Sequence, residues 1–338
     1  MYADLLKEKL AEQEKIYRLF QAGQTDCVLY REVRDGEYGI RDGNEINRKR
    51  LCYYLLYFKT EDEKILSRLF EEELKDRTTN SFQGIGSTLC ILTYLIGKYN
   101  ADHTYDPLLK AAAKANFDCV CGYNPACQVS DNLYDNDLTD CIYLCQELDY
   151  PDVMKQLVSE WKDTIMKNTD SDRACLIRFH QFLGMEEENG PLYQAQLLSA
   201  TETGRISDLA RAYIDMIRHE LRMKQYEKAG NHIREARERA DDGSDRMWRL
   251  RGELLETAFE LISNDRAVGG SLWEWAKAEF GRLTNIWGNV YTKGIEAARA
   301  MEDTYALELE KEYQAWREKM GLNHLLLEEK KGRAVDED

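Results

Sequence analysis

Apolar residues recur at three- and four-residue intervals over most of this chain, the spacing that gathers them on one face of an α-helix. The opening stretch MYADLLKEKLAEQEKIYRLF puts Leu6, Leu10, Tyr17 and Phe20 on one side of a single helix. From Asn44 onward helix is predicted to follow helix. LCYYLLYF at 51–58 is followed by a helix with Ile65, Leu66, Leu69 and Phe70 as its apolar side, and by another over 84–99. Asp106-Pro107 opens the next, aspartate as cap and proline in the first turn, where no amide partner is lost. Helices are then expected over 138–149, after Pro151, over 172–183, after Pro191, over 205–223 and after Tyr226. Thr60 and Glu63 have capping-box spacing, and Ser244 is positioned to cap a helix with Trp248, Leu255, Phe259 and Ile262 along one side. Residues 288–320 read as one long helix.

Residues 25–43 break the pattern. CVLYREV, Asp35-Gly36, EYGI and Asp42-Gly43 follow one another, and Asp-Gly pairs favour tight turns. The segment reads equally as a short β-hairpin or as a helix end with an irregular loop.

The second helices of successive pairs begin near Thr60, Asp106, Tyr150, Gly190 and Tyr226, so the separations are 46, 44, 40 and 36 residues. A two-helix unit of roughly 35–45 residues is the period of helical solenoids. One hairpin cannot bury its apolar face alone, and stacking on the next supplies the missing surface. The expected fold is therefore all-α, an α-solenoid of stacked antiparallel helical hairpins with room for a small β-hairpin near the N-terminus. A compact irregular bundle is the alternative. The expected divisions are an N-terminal helix and turn-rich segment (1–43), a hairpin array (44–268), aromatic-rich capping helices (269–322) and a polar tail (323–338).

Tyr226, Ala229, Ile233 and Ala236 resemble the second helix of a tetratricopeptide repeat, in which small residues let two helices approach closely. The first helix departs from that pattern, with Ile217 where a small residue belongs and Glu220 where an aromatic belongs. The resemblance covers the hairpin at 205–240. It implies a helical-repeat binding scaffold and carries no particular ligand.

Charge narrows the partners. Lys and Arg number 46 against 62 Asp and Glu, for a net charge of −16, which repels phosphate backbones and argues against nucleic acid. The dense basic run Arg48-Lys49-Arg50 is read as a solvated helix face. The longest apolar run, Leu89–Ile96, is too short to span a bilayer, and the first twenty residues lack the apolar core of a signal peptide. Nine cysteines, an odd number in a long chain, suit free thiols in a reducing compartment, and the expected location is the cytoplasm.

Chemistry-bearing motifs are sparse. Cys119, Cys121 and Cys127 in CVCGYNPAC, with Cys141 and Cys145 one turn apart on the next helix, are the one candidate for structural zinc. Their spacing contains no Cys-x-x-Cys pair, and buried thiols are the ordinary alternative. No cofactor is otherwise expected. Asp131, Asp135, Asp137 and Asp140 in DNLYDNDLTD lack the glycine of a calcium loop and are read as caps for a helix starting near Leu138. The five histidines show no metal-binding spacing, and the glycine pairs follow no strand that would make them phosphate cradles.

Helix 205–223 carries the candidate binding residues. Ile206, Leu209, Tyr213, Met216 and Ile217 form its packing side, and Arg211, Asp215, Arg218 and Arg222 lie on another face, placed to clasp carboxylates of a peptide. An ordinary solvated face is the competing interpretation. Trp273 and Trp275, two residues apart, cannot both face a core, which makes Trp273 a candidate anchor. The expected function is protein or peptide binding without catalysis. The alternatives are an acidic inhibitor or immunity-type protein that neutralises a basic partner, and a metal-dependent all-α enzyme using the cysteine or aspartate cluster.

Overall fold

The computed structural model describes residues 2–35, 39–81, 84–240, 244 and 247–321. The chain forms two compact units, Met1–Met166 and Lys167–Asp338, so the division falls inside the stretch 44–268 that the sequence suggests is one array. Helices dominate both units, and among the described residues none is long and apolar enough to cross a membrane.

The first unit opens with α1 (Tyr2–Ala11) and α2 (Glu14–Gln21) in place of one continuous helix. The last turn of α1 tightens to three-residue hydrogen bonds at Glu12 and Gln13 before α2 begins. Within the 25–43 segment the structure shows two short strands. β1 (Glu32–Asp35) pairs antiparallel with β2 (Gly39–Asp42), Glu32 opposite Asp42 and Val33 opposite Arg41. The outer side of β2 is occupied as well, because Ile40 exchanges 2.8 Å hydrogen bonds with the amide and hydroxyl of Ser81. Seven helices follow: α3 (Glu45–Tyr57), α4 (Glu63–Thr79), α5 (Ser87–Gly97), α6 (Asp106–Ala112), α7 (Phe117–Gly122), α8 (Leu138–Glu147) and α9 (Pro151–Thr164). Leu6 and Leu10 of α1, Leu51 and Leu55 of α3, Leu66 and Leu69 of α4, Leu89 and Leu92 of α5 and Ile142 of α8 are its fully buried apolar centre. Burying each such side chain contributes roughly 1.5–3 kcal/mol.

Arg48 corrects the reading of the basic run. Its side chain is 0% exposed, with Nη1 2.6 Å from Asp42, Nε 2.8 Å from Glu73 and Nη2 3.6 Å from Asp76. Arg77 joins the cluster, its Nε 3.2 Å from Glu73 and its Nη2 bonded to Asp76. Burying an unpaired charge is prohibitive, so the arginine is tolerated only because three carboxylates meet it. The network ties β2, α3 and α4 together, and Asp42 also accepts from the amides of Arg31 and Asn44. Two caps differ from expectation. Asp62, not Thr60, caps α4 by accepting from the Ile65 amide, and Tyr105 rather than Asp106 stands at the cap of α6.

The second unit contains α10 (Asp170–Phe182), α11 (Gly190–Thr203), α12 (Ile206–Arg222), α13 (Tyr226–Arg239), α14 (Trp248–Asn264), α15 (Arg266–Gly269), α16 (Trp273–Phe280), α17 (Gly288–Ala300) and α18 (Tyr305–Lys319). Each of α12, α14 and α17 packs on the next of the three, while α13 packs on α12 and α18 on α17. Tyr213, Ile217, Ala229, Ile233, Leu255, Phe259, Ile262 and Ala297 fill the space between them. On the expected packing side of 205–223, Leu209, Tyr213, Met216 and Ile217 are buried and Ile206 partly so, and the small residues Ala229 and Ala236 of α13 lie where helices meet. Residues 288–320 form two helices rather than one. The chain reverses at Glu302, whose φ is 58°, and α18 returns along α17.

Six helix ends use one turn. Gly23, Lys59, Asp149, Gly184, Lys224 and Glu302 all have left-handed φ. In each case the next amide donates to the carbonyl five residues earlier: Gln24 to Leu19, Thr60 to Leu55, Tyr150 to Cys145, Met185 to His180, Gln225 to Glu220 and Asp303 to Ala298, at 2.8–3.0 Å. This is the Schellman closure, which satisfies carbonyls left open at a helix end and reverses the chain within a few residues.

Candidate partner-binding groove

On α12, Asp208, Arg211, Ala212, Asp215 and Arg218 recur at three- and four-residue spacing and form a stripe opposite the buried one. Two depressions lie along this stripe. One of about 360 Å³ is lined by Asp170 of α10, Ser199 and Thr203 of α11, and Arg211 and Asp215 of α12. The other, of about 470 Å³, is lined by Arg218, by Trp248, Arg249, Glu253 and Glu256 of α14, and by Trp287 and Asn289 at the start of α17. Both are in the size range of ligand sites, whereas a crevice between α12, α13, α14 and α16, under the stacked Arg237 and Trp275, is only about 50 Å³.

Glu253 lines the second depression and is held by Arg211, which lines the first. Arg211 grips it with both Nη groups, Arg218 Nη2 lies 3.2 Å from it and Arg249 Nε 3.4 Å from it. Burial pushes the Glu253 carboxyl up, but the hydrogen bond from Arg211 and the charges of Arg211 and Arg218 outweigh it and hold the group below its ordinary range. Asp215, which has no such fork, is held above its ordinary range by burial despite the same arginines. The arrangement leaves Glu253 ionised at neutral pH, with three guanidiniums around one carboxylate.

The floor of the second depression is aromatic. Trp248 and Trp287 meet edge to face, ring centroids 6.3 Å apart and planes at 70°. Trp287 Nε1 donates to Glu256 at 3.3 Å, and Lys293 lies 3.5 Å from the same carboxylate and bonds to Glu260. Trp248 is 36% exposed, unlike Leu255, Phe259 and Ile262, with which it shares a helical face. It is the first residue of α14, where that face runs past the edge of the core.

The residues singled out from sequence separate accordingly. Arg211, Asp215 and Arg218 line the depressions. Arg222 turns away from Glu253, donating to Glu186 at 2.8 Å and to the Tyr193 hydroxyl at 3.4 Å, beside the buried His219. Trp273 is 4% exposed, packs against Phe259 and donates Nε1 to Asp303, so it is a core residue rather than a surface anchor. Trp275 is the partly buried member of that pair. Trp248, Arg249, Glu253 and Trp287 were not apparent as site residues, because their meeting depends on how α12, α14 and α17 pack.

The candidate cysteines are spread over α7, the loop after it and α8. Cys119 is buried in α7 and Cys121 is exposed, Cys127 donates to the Cys90 carbonyl at 3.4 Å, and Cys141 and Cys145 are buried on α8. Burial pushes the thiols of Cys90 and Cys141 up to about 11 and that of Cys145 to about 12, so their thiolates are scarce at neutral pH. Asp131 is paired with Lys59 and Lys98, and Asp137 and Asp140 form the capping box that starts α8 at Leu138. Among the described residues no three His, Cys, Asp or Glu side chains form a group suited to hold a metal ion. Compared with family models, with curated proteins and with solved structures, the chain shows no match.

Proposed function

We propose that this protein binds another protein or a peptide, and that the binding surface is the groove of the second unit along α12, α14 and α17. The observation that carries the reading is the juxtaposition of a half-open tryptophan pair with three arginines converging on Glu253. Tryptophan and arginine are the side chains that most often dominate protein interfaces, and here Arg211, Arg218, Trp248 and Arg249 sit on helices, whose backbone does not have to be ordered on binding, with Trp287 at the cap of α17. A tetratricopeptide-like hairpin stack accounts for the order of the helices. On that reading α12, α14 and α17 are the inner helices, α13 and α18 are outer ones, and Schellman turns close two of the hairpins. No catalytic step is assigned to it.

A second reading, an acidic inhibitor of a basic protein, is favoured by the net charge of −16 and by the exposed Glu187, Glu188, Asp137 and Asp140. Affinity capture from native lysate at low and moderate salt, read by mass spectrometry, separates the two. Capture that Trp248→Ala abolishes and moderate salt leaves intact supports the groove. Capture of a basic protein that salt abolishes and Trp248→Ala leaves intact supports the inhibitor.

A further inference from the structure

The chemistry of the groove also specifies what would enter it. In the second depression the carboxylates are already engaged: Glu253 by three arginines, and Glu256 by Trp287 and Lys293. Its arginines are engaged only in part. Three guanidiniums present fifteen N–H donors, and a carboxylate offers about four lone-pair sites. The Arg249 side chain is 73% exposed and meets Glu253 only through Nε, so most of its donor fork is open to solvent. Arg218 is about one-third exposed on the opposite wall. Arriving lysines or arginines would face these cations and find the carboxylates occupied. An arriving carboxylate would find unused, geometrically matched donors.

The aromatic floor adds a second requirement. Trp248 retains exposed ring surface at the edge of the same depression, and covering it is favourable only for an apolar or aromatic group. The field of the whole chain limits the first requirement. At −16 it opposes any long acidic stretch, so the carboxylates that bind are few and local.

We propose that the partner presents a short internal segment in which one or two Asp or Glu residues stand beside a bulky apolar side chain. The carboxylate is read by Arg218 and Arg249, and the apolar group by Trp248 and Trp287. This rests on the groove being the binding site.

The test is a library of random 12-residue peptides fused through their C-termini to a phage coat protein, so that no free C-terminal carboxylate is offered. It is panned on the full chain, on Trp248→Ala and on Arg249→Ala, a change at an exposed side chain, with the folding of each variant checked by thermal melt. On the unmodified chain, enriched sequences are expected to place Asp or Glu within two residues of Trp, Phe or Leu. Their affinity is expected to fall at least threefold with Arg249→Ala and tenfold with Arg218→Glu/Arg249→Glu. Basic or uncharged sequences that depend on Trp248 would overturn the acidic segment and leave the groove as the site. Enrichment indifferent to Trp248 and to both arginines, or no enrichment, would overturn the groove assignment as well.

Discussion

Trp287 lies across Gly252 so closely that a methyl group added at this glycine would come within 2.6 Å of the indole ring. The missing side chain lets Trp287 lie over α14 and meet Trp248. Gly252→Ala gains about 1 kcal/mol of helix propensity and meets an overpacking penalty of about 1–3 kcal/mol. The expected result is a net loss of about 1 kcal/mol in urea unfolding, with altered near-ultraviolet circular dichroism from the displaced indole. A more stable protein with an unchanged tryptophan spectrum would contradict this packing.

Arg48 is the cation on which Asp42, Glu73 and Asp76 depend. Arg48→Met removes it and leaves Arg77 alone with three carboxylates, which is expected to cost about 3–5 kcal/mol. Burial already pushes the Glu73 carboxyl up, so it takes up a proton readily once the cation is gone. The loss should therefore shrink between pH 7 and pH 5. Chemical denaturation of both proteins at the two pH values measures it.

Lys224 holds a left-handed φ of 55° in the turn between α12 and α13. A non-glycine residue there is strained by about 1–2 kcal/mol, and glycine returns part of that through its greater freedom in the unfolded chain. Lys224→Gly should stabilise the protein by up to about 1 kcal/mol, seen as a small rise in thermal midpoint. A drop would mean that this turn does not close as described.

Asp303 accepts from the Tyr305 amide, Trp273 Nε1 and Lys277 Nζ at 2.8–3.0 Å, and these bonds, in that order, hold its carboxyl down at about 2. An aspartate in the unfolded chain titrates near 3.9. The folded value is the lower one, so the stabilisation is fully present above about pH 4 and is lost as pH falls toward 2. Asp303→Asn should cost roughly 1–2 kcal/mol at pH 7 and flatten the acid limb of the stability curve between these values. Equilibrium unfolding across pH 2–7 reads both effects.

Helices were legible in the sequence where one apolar stripe met one core, as on α12, where Leu209, Tyr213, Met216 and Ile217 are all buried. Their ends were less so. Of the six Schellman turns only Gly23 and Gly184 use glycine, so Lys59, Asp149, Lys224 and Glu302 gave no local signal, and 288–320 read as unbroken. Arg48 was misread because its sequence neighbours are basic, while its actual partners come from β2 and α4. The groove was visible by half. Arg211, Asp215 and Arg218 lie on one helix and share a periodicity. Trp248, Arg249 and Trp287 reach them only through the packing of α14 and α17, which no spacing encodes.

The most direct test of the groove is a photo-crosslinking amino acid installed at Asn289, on its rim, with the same group at Leu198 as an exposed control outside both depressions. After irradiation in native lysate, position 289 is predicted to give a covalent adduct of discrete mass, lost with Trp248→Ala, while position 198 gives none. A discrete adduct from 198 with none from 289, or equal adducts from both, would contradict the groove as the place where this protein meets its partner.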